Sequence, residues 1–342
     1  MTQAIQTVSR CVDFIDLFAG IGGIRLGFER IGARCVFTSE WDRFAPRTYL
    51  ANHQQDHEVA GDIRSIPSES VPAHQVLLAG FPCQPFSLSG VSKRQSLGRA
   101  HGFACQTQGT LFFEIVRLLA HHRPKAFLLE NVKNLVAHDQ GRTFEIIRET
   151  LRRDLGYHLH WRVINARGWV PQNRERIYLV GFREPNAFDW NDVDLLDPAS
   201  GPTLRDILHP EDGSELTEAP YTEGPQAKVA AKYTLSEHLW GYLQDRKRAQ
   251  KAKGNGFGFA LFGPEDVGRT LSARYGKDGS ELLIRQDGRP PRKLTPRECA
   301  RLMGYPDTFR IPVSDTQAYR QFGNSVAVPV IEAIAKGMAK YL

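Results

Sequence analysis

Cysteine is scarce in this chain, which has only five cysteines among 342 residues: Cys11, Cys35, Cys83, Cys105 and Cys299. No two of them have C-x-x-C spacing and no histidine cluster accompanies them, which argues against a zinc site and against a disulfide framework. The chain also lacks an apolar N-terminal segment and any apolar run of about 18 residues, so the sequence predicts neither a secretory signal nor a membrane span. We therefore expect a soluble, cytosolic protein with reduced thiols and no bound metal.

Charge of one sign is not strongly in excess either. The chain has 44 Lys and Arg against 38 Asp and Glu, a net charge of +6, and 41% of its residues are hydrophobic. This balance is that of an ordinary globular protein with enough apolar material for a core. The mild positive excess is compatible with a polyanionic partner such as nucleic acid but does not require one. The length fits one large domain or two smaller ones.

Residues 12–182 alternate short apolar strands with amphipathic helices, the pattern of a sheet that is covered by helices on both faces. The predicted elements are strands at 12–18, 34–39, 76–79, 126–129 and 176–182 and an apolar helix at 111–120. The sequence therefore predicts an α/β domain in the first half of the chain.

After this part the periodicity weakens. Residues 184–225 are rich in Pro, Asp and Glu, and residues 246–290 mix Lys, Arg and Gly with scattered aromatics. This change indicates a second, loop-rich domain or a large insertion. Regular patterning returns at 295–303, and the last predicted helix, 329–342, follows a Gly-Asn-Ser turn at 323–325.

A glycine turn follows the first predicted strand. Gly20, Gly22 and Gly23 let the backbone turn tightly and approach a ligand beside a helix N-terminus. A dinucleotide-binding turn would need a third glycine at position 25, which is Arg25. The turn therefore favours an adenosine cofactor without a pyrophosphate, although taken alone it could serve only helix–strand packing.

Three further side chains strengthen the prediction of a nucleoside site. Glu40 ends the second predicted strand, twenty residues after Gly20, where an acid can bind ribose hydroxyls. Trp41 follows directly and could stack on adenine. Asp62 comes where a third strand would end, and its carboxylate could accept a hydrogen bond from an adenine amino group.

A cysteine lies on a loop that prolines stiffen, just after the strand at 76–79. Cys83 is held between Pro82 and Pro85, at the carboxyl edge of the sheet where ligands bind. Most free cysteines are buried small hydrophobes, and we expect Cys11, Cys35 and Cys299 to be of that kind. Cys83 differs because its neighbours fix its backbone, and a nearby positive group could activate its thiol.

Two more motifs could supply acid and positive charge. Glu130 closes an apolar strand, so its carboxyl could be partly desolvated, which raises a pKa and suits a proton donor; otherwise it is a helix cap or a surface acid. Gln172, Arg174 and Arg176 alternate at the start of a strand, and alternation predicts that they share one face. Polar and charged residues that alternate along a solvent-exposed edge strand would give the same sequence pattern.

At these positions the chain resembles the DNA (cytosine-C5) methyltransferase family. The matching motifs follow the family's order from residue 14 to about residue 331, nearly the whole chain. They are residues 14–23 (FIDLFAGIGG), 81–87 (FPCQPFS), 109–113 (GTLFF), 130–132 (ENV), 172–176 (QNRER), 297–304 (RECARLMG) and 321–326 (QFGNSV). Residues 254–259 and 270–275 are most similar to bacterial methylases of the Dcm and EcoRII kind.

The resemblance implies a fold and its division into two domains. We expect a Rossmann-like, S-adenosyl-L-methionine-dependent methyltransferase domain with a mostly parallel sheet, formed by residues 1–185 and completed by 318–342. A smaller, loop-rich target-recognition domain would comprise residues 186–317.

The resemblance also implies a chemistry. A cytosine is flipped out of duplex DNA and receives a methyl group on carbon 5, and S-adenosyl-L-homocysteine is the second product. Cys83 would attack carbon 6, Glu130 would protonate or hydrogen-bond N3, Arg176 would hold O2, and Arg174 would support the site electrostatically. The family's cofactor positions correspond here to Phe18, Gly20, Gly22, Glu40, Trp41, Asp62, Ile63, Pro82, Leu111, Asn324 and Ser325.

The implied partner is double-stranded DNA. Residues 87–109 would form a loop that closes over it, and Thr270 would touch backbone near the flipped nucleotide. The DNA contacts that we expect are Ser87, Lys93, Arg94, Arg99, Arg269, Thr270 and Arg274, with Arg285 as another plausible base reader. The basic run at 246–253 is either a solvated helix face or a phosphate contact. We expect a monomer that acts on a short site of the CC(A/T)GG or CCGG kind, paired with a separate restriction endonuclease or alone.

Three other functions compete with this interpretation. A tRNA methylase of the same fold would typically show Pro-Pro-Cys-Gln, but Phe81 replaces the first proline, and residues 184–290 contain no cysteine. A catalytically dead relative would lack some of the chemical groups, which are all present. An amino-methylating DNA enzyme would carry an Asn- or Asp-Pro-Pro-aromatic motif where this chain has Phe81-Pro82-Cys83.

Overall fold

The structure is a computed structural model that describes residues 11–54, 57–81, 111–254 and 258–342. Within these ranges the architecture centres on one seven-stranded sheet, with strand order β3-β2-β1-β4-β5-β7-β6. Its strands are β1 (Asp13–Leu17), β2 (Arg34–Ser39), β3 (Val59–Ala60), β4 (Val76–Gly80), β5 (Ala126–Val132), β6 (His158–Asn165) and β7 (Glu175–Phe182).

The sheet is mostly parallel, as expected for the predicted fold. Strands β1 to β5 pair in parallel, whereas β7 runs antiparallel to both of its neighbours. The five predicted strands are confirmed, although β5 continues to Val132. Strand β6 was not predicted because it is an edge strand with little burial and several polar residues, so it lacks an apolar signal.

Two layers of helices cover the sheet. The helices of the described residues are α1 (Gly23–Glu29), α2 (Ala45–Asn52), α3 (Leu111–His122), α4 (Arg142–Glu149), α5 (Glu237–Ala252), α6 (Pro296–Leu302), α7 (Asp315–Asn324) and α8 (Val328–Ala339). Alternation along β1 separates two cores: Phe14 packs with α1 and α8, whereas Ile15 and Leu17 pack with α3 and α4. The helix–sheet–helix layering therefore follows from the strand pattern.

Three details of the sequence interpretation need correction. The predicted turn at 323–325 is wrong, because α7 continues to Asn324 and Ser325 is its C-terminal cap. Arg176 lies in β7, but Gln172 and Arg174 precede that strand, so the three side chains do not share a strand face. Cys11 is exposed rather than buried, whereas Cys35 and Cys299 are buried as expected.

The stretch between β7 and α6 forms its own core with α6 and α7. Leu204, Tyr233 and Leu271 pack there with Leu302 and Phe322. The short strand pairs of this part are β8 (Thr222–Glu223) with β9 (Lys228–Val229), and β10 (Leu261–Phe262) with β11 (Leu283–Ile284). Among the residues that the structure describes, none of the helices combines the length and apolarity that spanning a bilayer requires.

Candidate active site

A cavity of about 360 Å³ opens at the carboxyl ends of β1, β4 and β5. Its wall is built by the loops that follow these strands and by the end of α7. The lining includes Phe18, Gly20, Glu40 and Trp41 at one side and Phe81, Glu130, Arg174, Arg176, Asn324 and Ser325 at the other. The structure therefore brings most of the predicted cofactor residues and three of the predicted catalytic groups to one space.

The turn after β1 forces the backbone into left-handed conformations. Phe18, Gly20 and Gly22 have φ of 54°, 56° and 82°. Such angles cost little for glycine but are strained for most other residues. Gly23 is required for a second reason, because a Cβ there would lie 2.6 Å from the Tyr305 hydroxyl and 2.8 Å from Ser325 Oγ. The glycines thus permit both the turn and its contact with the chain after α7.

Glu40 anchors this turn. One carboxylate oxygen accepts a hydrogen bond from the Gly20 amide at 2.7 Å, and the other accepts from the Asp42 amide at 2.7 Å. Each oxygen keeps a further lone pair for a ligand. Glu40, the predicted ribose-binding acid, is therefore held at the cavity wall by its hydrogen bonds to the Gly20 and Asp42 amides.

A second cavity, of about 50 Å³, lies beside the first. Phe18, Glu40 and Trp41 line both of them, and the smaller one is completed by Ser39, Gly61, Asp62, Ile63, Arg64 and Leu111. Trp41 is 70% exposed, and the Arg64 guanidinium carbon lies 5.8 Å from the centre of its ring. Arg64 pairs with Asp62, with 2.9 Å from Nε to Oδ2, and this hydrogen bond lowers the pKa of the Asp62 carboxyl. Asp62 is thus an ionised acceptor at the cavity wall.

The predicted cofactor residues therefore divide into three groups. Those that line one of the two cavities are Phe18, Gly20, Glu40, Trp41, Asp62, Ile63, Leu111, Asn324 and Ser325. Gly22 lines neither, because it faces His53 beneath the turn. Pro82 lies outside the described residues.

Glu130 and Arg176 form an ion pair at the wall of the larger cavity. The distance from Arg176 Nε to Glu130 Oε1 is 3.1 Å, and both side chains are largely buried. Burial raises the pKa of the Glu130 carboxyl, and the guanidinium groups of Arg176 and Arg174 offset only part of this rise. Glu130 lies two residues before the end of β5 rather than closing it, and burial keeps its acid form available at higher pH.

Arg174 lies behind this pair and is fully buried. Its guanidinium donates to the carbonyls of Leu271 at 2.9 Å, Gly323 at 3.1 Å and Ser325 at 2.5 Å. Burial lowers the pKa of Arg174 to about 9, with repulsion from Arg176 adding to the decrease and Glu130 opposing it. Arg174 therefore remains a cation at neutral pH and joins its own segment to Leu271 and to the end of α7.

Replacing Arg174 by alanine should destabilise the fold, because three buried carbonyls lose their donor. We expect the free energy of unfolding to fall by about 3–5 kcal/mol. Urea denaturation followed by tryptophan fluorescence measures it. The exposed Arg152→Ala is the matched control, expected to change stability by less than about 0.5 kcal/mol. A stable but inactive Arg174→Ala protein would instead show that this guanidinium acts on the substrate.

Two residues without a predicted role also hold the site together. Asn131 Nδ2 donates to the Phe81 carbonyl at 2.8 Å and so fixes the chain just before Cys83. The Tyr305 and Ser325 hydroxyls are hydrogen-bonded at 2.7 Å, which fixes Ser325 against the glycine turn. Asn131 belongs to the Glu-Asn-Val motif, so its motif could have indicated a role, but nothing in the sequence relates Tyr305 to Ser325.

The predicted DNA contacts are only partly described. The Thr270 hydroxyl donates to the Asn173 carbonyl, which places Thr270 beside Arg174. Arg269 and Arg274 are exposed and form no ion pair with any described residue. The remaining site predictions, Cys83, Ser87, Lys93, Arg94 and Arg99, lie outside the described residues. Within the described ranges, no group of three or more His, Cys, Asp or Glu side chains could hold a metal ion.

Known proteins are similar to this chain along nearly its whole length. A model of the family described as C-5 cytosine-specific DNA methylase matches residues 12–340. A DNA-cytosine methyltransferase of Escherichia coli K12 is 49% identical over 379 aligned positions, covering 94% of this chain and 76% of that protein. The type II methyltransferase M.NlaX of Neisseria lactamica is 50% identical, covering 95% of both chains.

Solved structures support the fold. The Dnmt2 methyltransferase of S. pombe has a TM-score of 0.71 at 19% identity and covers 97% of this chain and 99% of its own. A putative DNA modification methyltransferase from an E. coli prophage has a TM-score of 0.66 at 23% identity, covering 96% and 99%. These likenesses confirm the Rossmann-like methyltransferase fold. With the family match along nearly its whole length, the chain belongs to the C-5 cytosine-specific DNA methylases and is an S-adenosyl-L-methionine-dependent DNA cytosine methyltransferase.

Proposed function

We propose that this protein methylates carbon 5 of a flipped-out cytosine in a short, specific duplex site through a covalent adduct with Cys83. One observation carries the proposal: a single cavity joins the Glu130–Arg176 pair to the Glu40–Trp41 wall. A base held at the first pair would therefore face a nucleoside cofactor held at the second wall.

The residues at this wall fit S-adenosyl-L-methionine. Glu40 has free lone pairs for ribose hydroxyls, the exposed Trp41 ring can stack on adenine, and Asp62 can accept from its amino group. The carboxylates of Glu40 and Asp42 at this wall suit a positively charged sulfonium ligand. When bound, the cofactor supplies an electrophilic methyl group.

The protein groups would then act on the pyrimidine ring. The Cys83 thiolate forms a bond to carbon 6, and the electron pair of the C5–C6 double bond shifts towards carbon 4 and N3. Glu130 stabilises that charge by a proton or hydrogen bond at N3, and Arg176 binds O2. Arg174 positions this pair rather than touching the base, since its two terminal nitrogens already donate to the carbonyls of Leu271, Gly323 and Ser325. Carbon 5 becomes nucleophilic in this way and would accept the methyl group, with S-adenosyl-L-homocysteine as the leaving group. Loss of the carbon 5 proton to solvent then restores the double bond and expels the Cys83 thiolate.

We further propose that residues 186–317 recognise the DNA sequence while residues 1–185 and 318–342 carry the chemistry. Arg269 and Arg274, which are exposed and form no ion pair with the residues that the structure describes, support this division, because arginine pairs well with guanine edges in the major groove. The type II methyltransferases among the relatives support a role beside a restriction endonuclease. We expect the protein to act as a monomer in the bacterial cytosol.

The proposal is tested by incubating the full chain with tritiated S-adenosyl-L-methionine and mixed-sequence duplex DNA, digesting the DNA and identifying the labelled base. We expect label only on cytosine. Label on adenine, or on tRNA but never on DNA, would overturn the proposal. The second outcome would support the tRNA alternative. Bisulfite sequencing of DNA from a host that expresses the protein then gives the recognition site.

A further inference from the structure

A buried histidine that the proposed mechanism does not use lies beneath the glycine turn. His53, at the C-terminal end of α2, is 5% exposed. Its Nε2 atom lies 3.3 Å from the Ile21 carbonyl oxygen, and a Cβ at Gly22 would lie 2.1 Å from the same nitrogen. The ring therefore fills the space that Gly22 leaves and contacts the turn directly.

The other ring nitrogen faces α1. His53 Nδ1 lies 3.3 Å from Glu29 Oε2, and Arg25 Nε donates to Glu29 Oε1 at 2.6 Å. Burial raises the pKa of Glu29, but its hydrogen bonds with His53 and Arg25 outweigh that effect, so the pKa is lowered overall. Glu29 is therefore a carboxylate, which can only accept hydrogen bonds.

These two contacts decide the protonation of the ring. The Ile21 carbonyl and the Glu29 carboxylate are both acceptors, so both ring nitrogens must donate if both hydrogen bonds form. A neutral imidazole carries only one N–H group, whereas an imidazolium carries two. A His53 ring that makes both hydrogen bonds is therefore the doubly protonated one.

We propose that His53 is a positioning residue whose imidazolium ties the Ile21–Gly22 turn to Glu29 and thereby sets the affinity of the cofactor site. This inference rests on the proposed function, because it takes the turn to be part of an S-adenosyl-L-methionine site. His53 lines neither cavity, so it acts through the turn and not on the ligand. Substitution should therefore weaken cofactor binding and spare the chemical step.

The charged and titratable groups that contact His53 or its direct neighbours come from three elements, with Asp16 on β1 interacting electrostatically with Arg25 and Glu29. Arg25 and Glu29 lie on α1, and Tyr49 on α2 packs its ring 4.7 Å from the imidazole ring. Asp16 on β1 is buried, and its carboxyl oxygens have no hydrogen-bond partner among the described residues. Burial raises the pKa of Asp16 to about 8, although Arg25 opposes the rise. Since Asp16 could titrate near neutrality, the test measures the His53 ring itself rather than the pH dependence of binding.

The main variant is His53→Phe, which keeps a ring against Gly22 but removes both donors. We expect the Kd for S-adenosyl-L-homocysteine, measured by calorimetry on the full chain, to rise about tenfold. The turnover rate at saturating cofactor should stay within about twofold, the signature of lost ground-state binding. The matched control is His74→Phe, which should leave Kd unchanged. His74 is a buried histidine just before the amino-terminal end of β4, whereas the cavities lie at the carboxyl ends of the strands.

Nitrogen-15 NMR spectra of the histidine rings report the protonation of each ring, and the His53→Phe variant assigns the His53 signals. A purely steric role of His53 would not depend on its protonation. We expect the doubly protonated pattern for His53 in the wild type. In Glu29→Gln, which keeps the ring but removes its counter-charge, we expect a neutral ring and a raised Kd. This variant also serves if His53→Phe fails to fold.

The outcomes separate the inference from the function on which it rests. If the wild type does not bind S-adenosyl-L-homocysteine, the proposed cofactor site is wrong, and the ring spectra still report on His53. If the wild type binds it, the inference is overturned by a neutral His53 ring or by unchanged affinity in His53→Phe.

Discussion

The Cys83→Ser protein should lose methyl transfer by at least about 10⁴-fold while it still binds DNA and cofactor. Serine replaces one sulfur by oxygen, so shape changes little, but a hydroxyl without an activating base is a far weaker nucleophile than a thiolate. Single-turnover transfer from tritiated S-adenosyl-L-methionine measures the chemical step, and electrophoretic mobility shift of a duplex that contains the methylated site measures binding.

Cys11→Ser is the matched control, because Cys11 is exposed and its thiol contacts only the Gly32 carbonyl among the described residues. Its activity should equal that of the wild type. Duplex DNA with 5-fluorocytosine at the methylated position should trap the wild type covalently, since fluorine cannot leave as a proton does. It should not trap Cys83→Ser. Near-normal turnover of Cys83→Ser would remove Cys83 from the mechanism.

The sequence predicted that Gly20, Glu40 and Asp62 lie close together because these residues follow successive strands. Parallel strands bring their carboxyl ends to one edge of the sheet. The sequence positions of the three residues were therefore enough to predict their proximity. The hydrogen bond from the Gly20 amide to Glu40 spans twenty residues of one strand–helix–strand unit. Local pattern was therefore sufficient for this part of the site.

The contacts of Arg174 could not be predicted from the local sequence pattern. Its carbonyl partners Leu271 and Gly323 are 97 and 149 residues away, and strand alternation predicted a side chain on a sheet face instead. His53 is a similar case, since its contact with Ile21 depends on how α2 packs under the turn. Contacts of this kind depend on tertiary packing, which periodicity does not encode.

Replacing Glu130 by glutamine should lower the rate of methyl transfer by about 10²–10⁴-fold, the range for loss of a positioned acid. The amide keeps the size of the side chain but cannot give a proton to N3. Burial raises the pKa of Glu130, so in the wild type the acid form persists to higher pH and the rate should fall as pH rises through that pKa. Single-turnover rates across a pH series should show this decline in the wild type and not in Glu130→Gln.

The matched control is Glu145→Gln, an exposed acid of α4 that pairs with Arg148 at 2.8 Å. It should keep both the rate and its pH dependence. Glu130→Gln should still bind DNA and be trapped slowly by 5-fluorocytosine, because Cys83 remains. A wild-type pH decline that survives unchanged in Glu130→Gln would assign the titrating group to another residue. The buried Glu130 carboxyl would then be only the partner that holds Arg176.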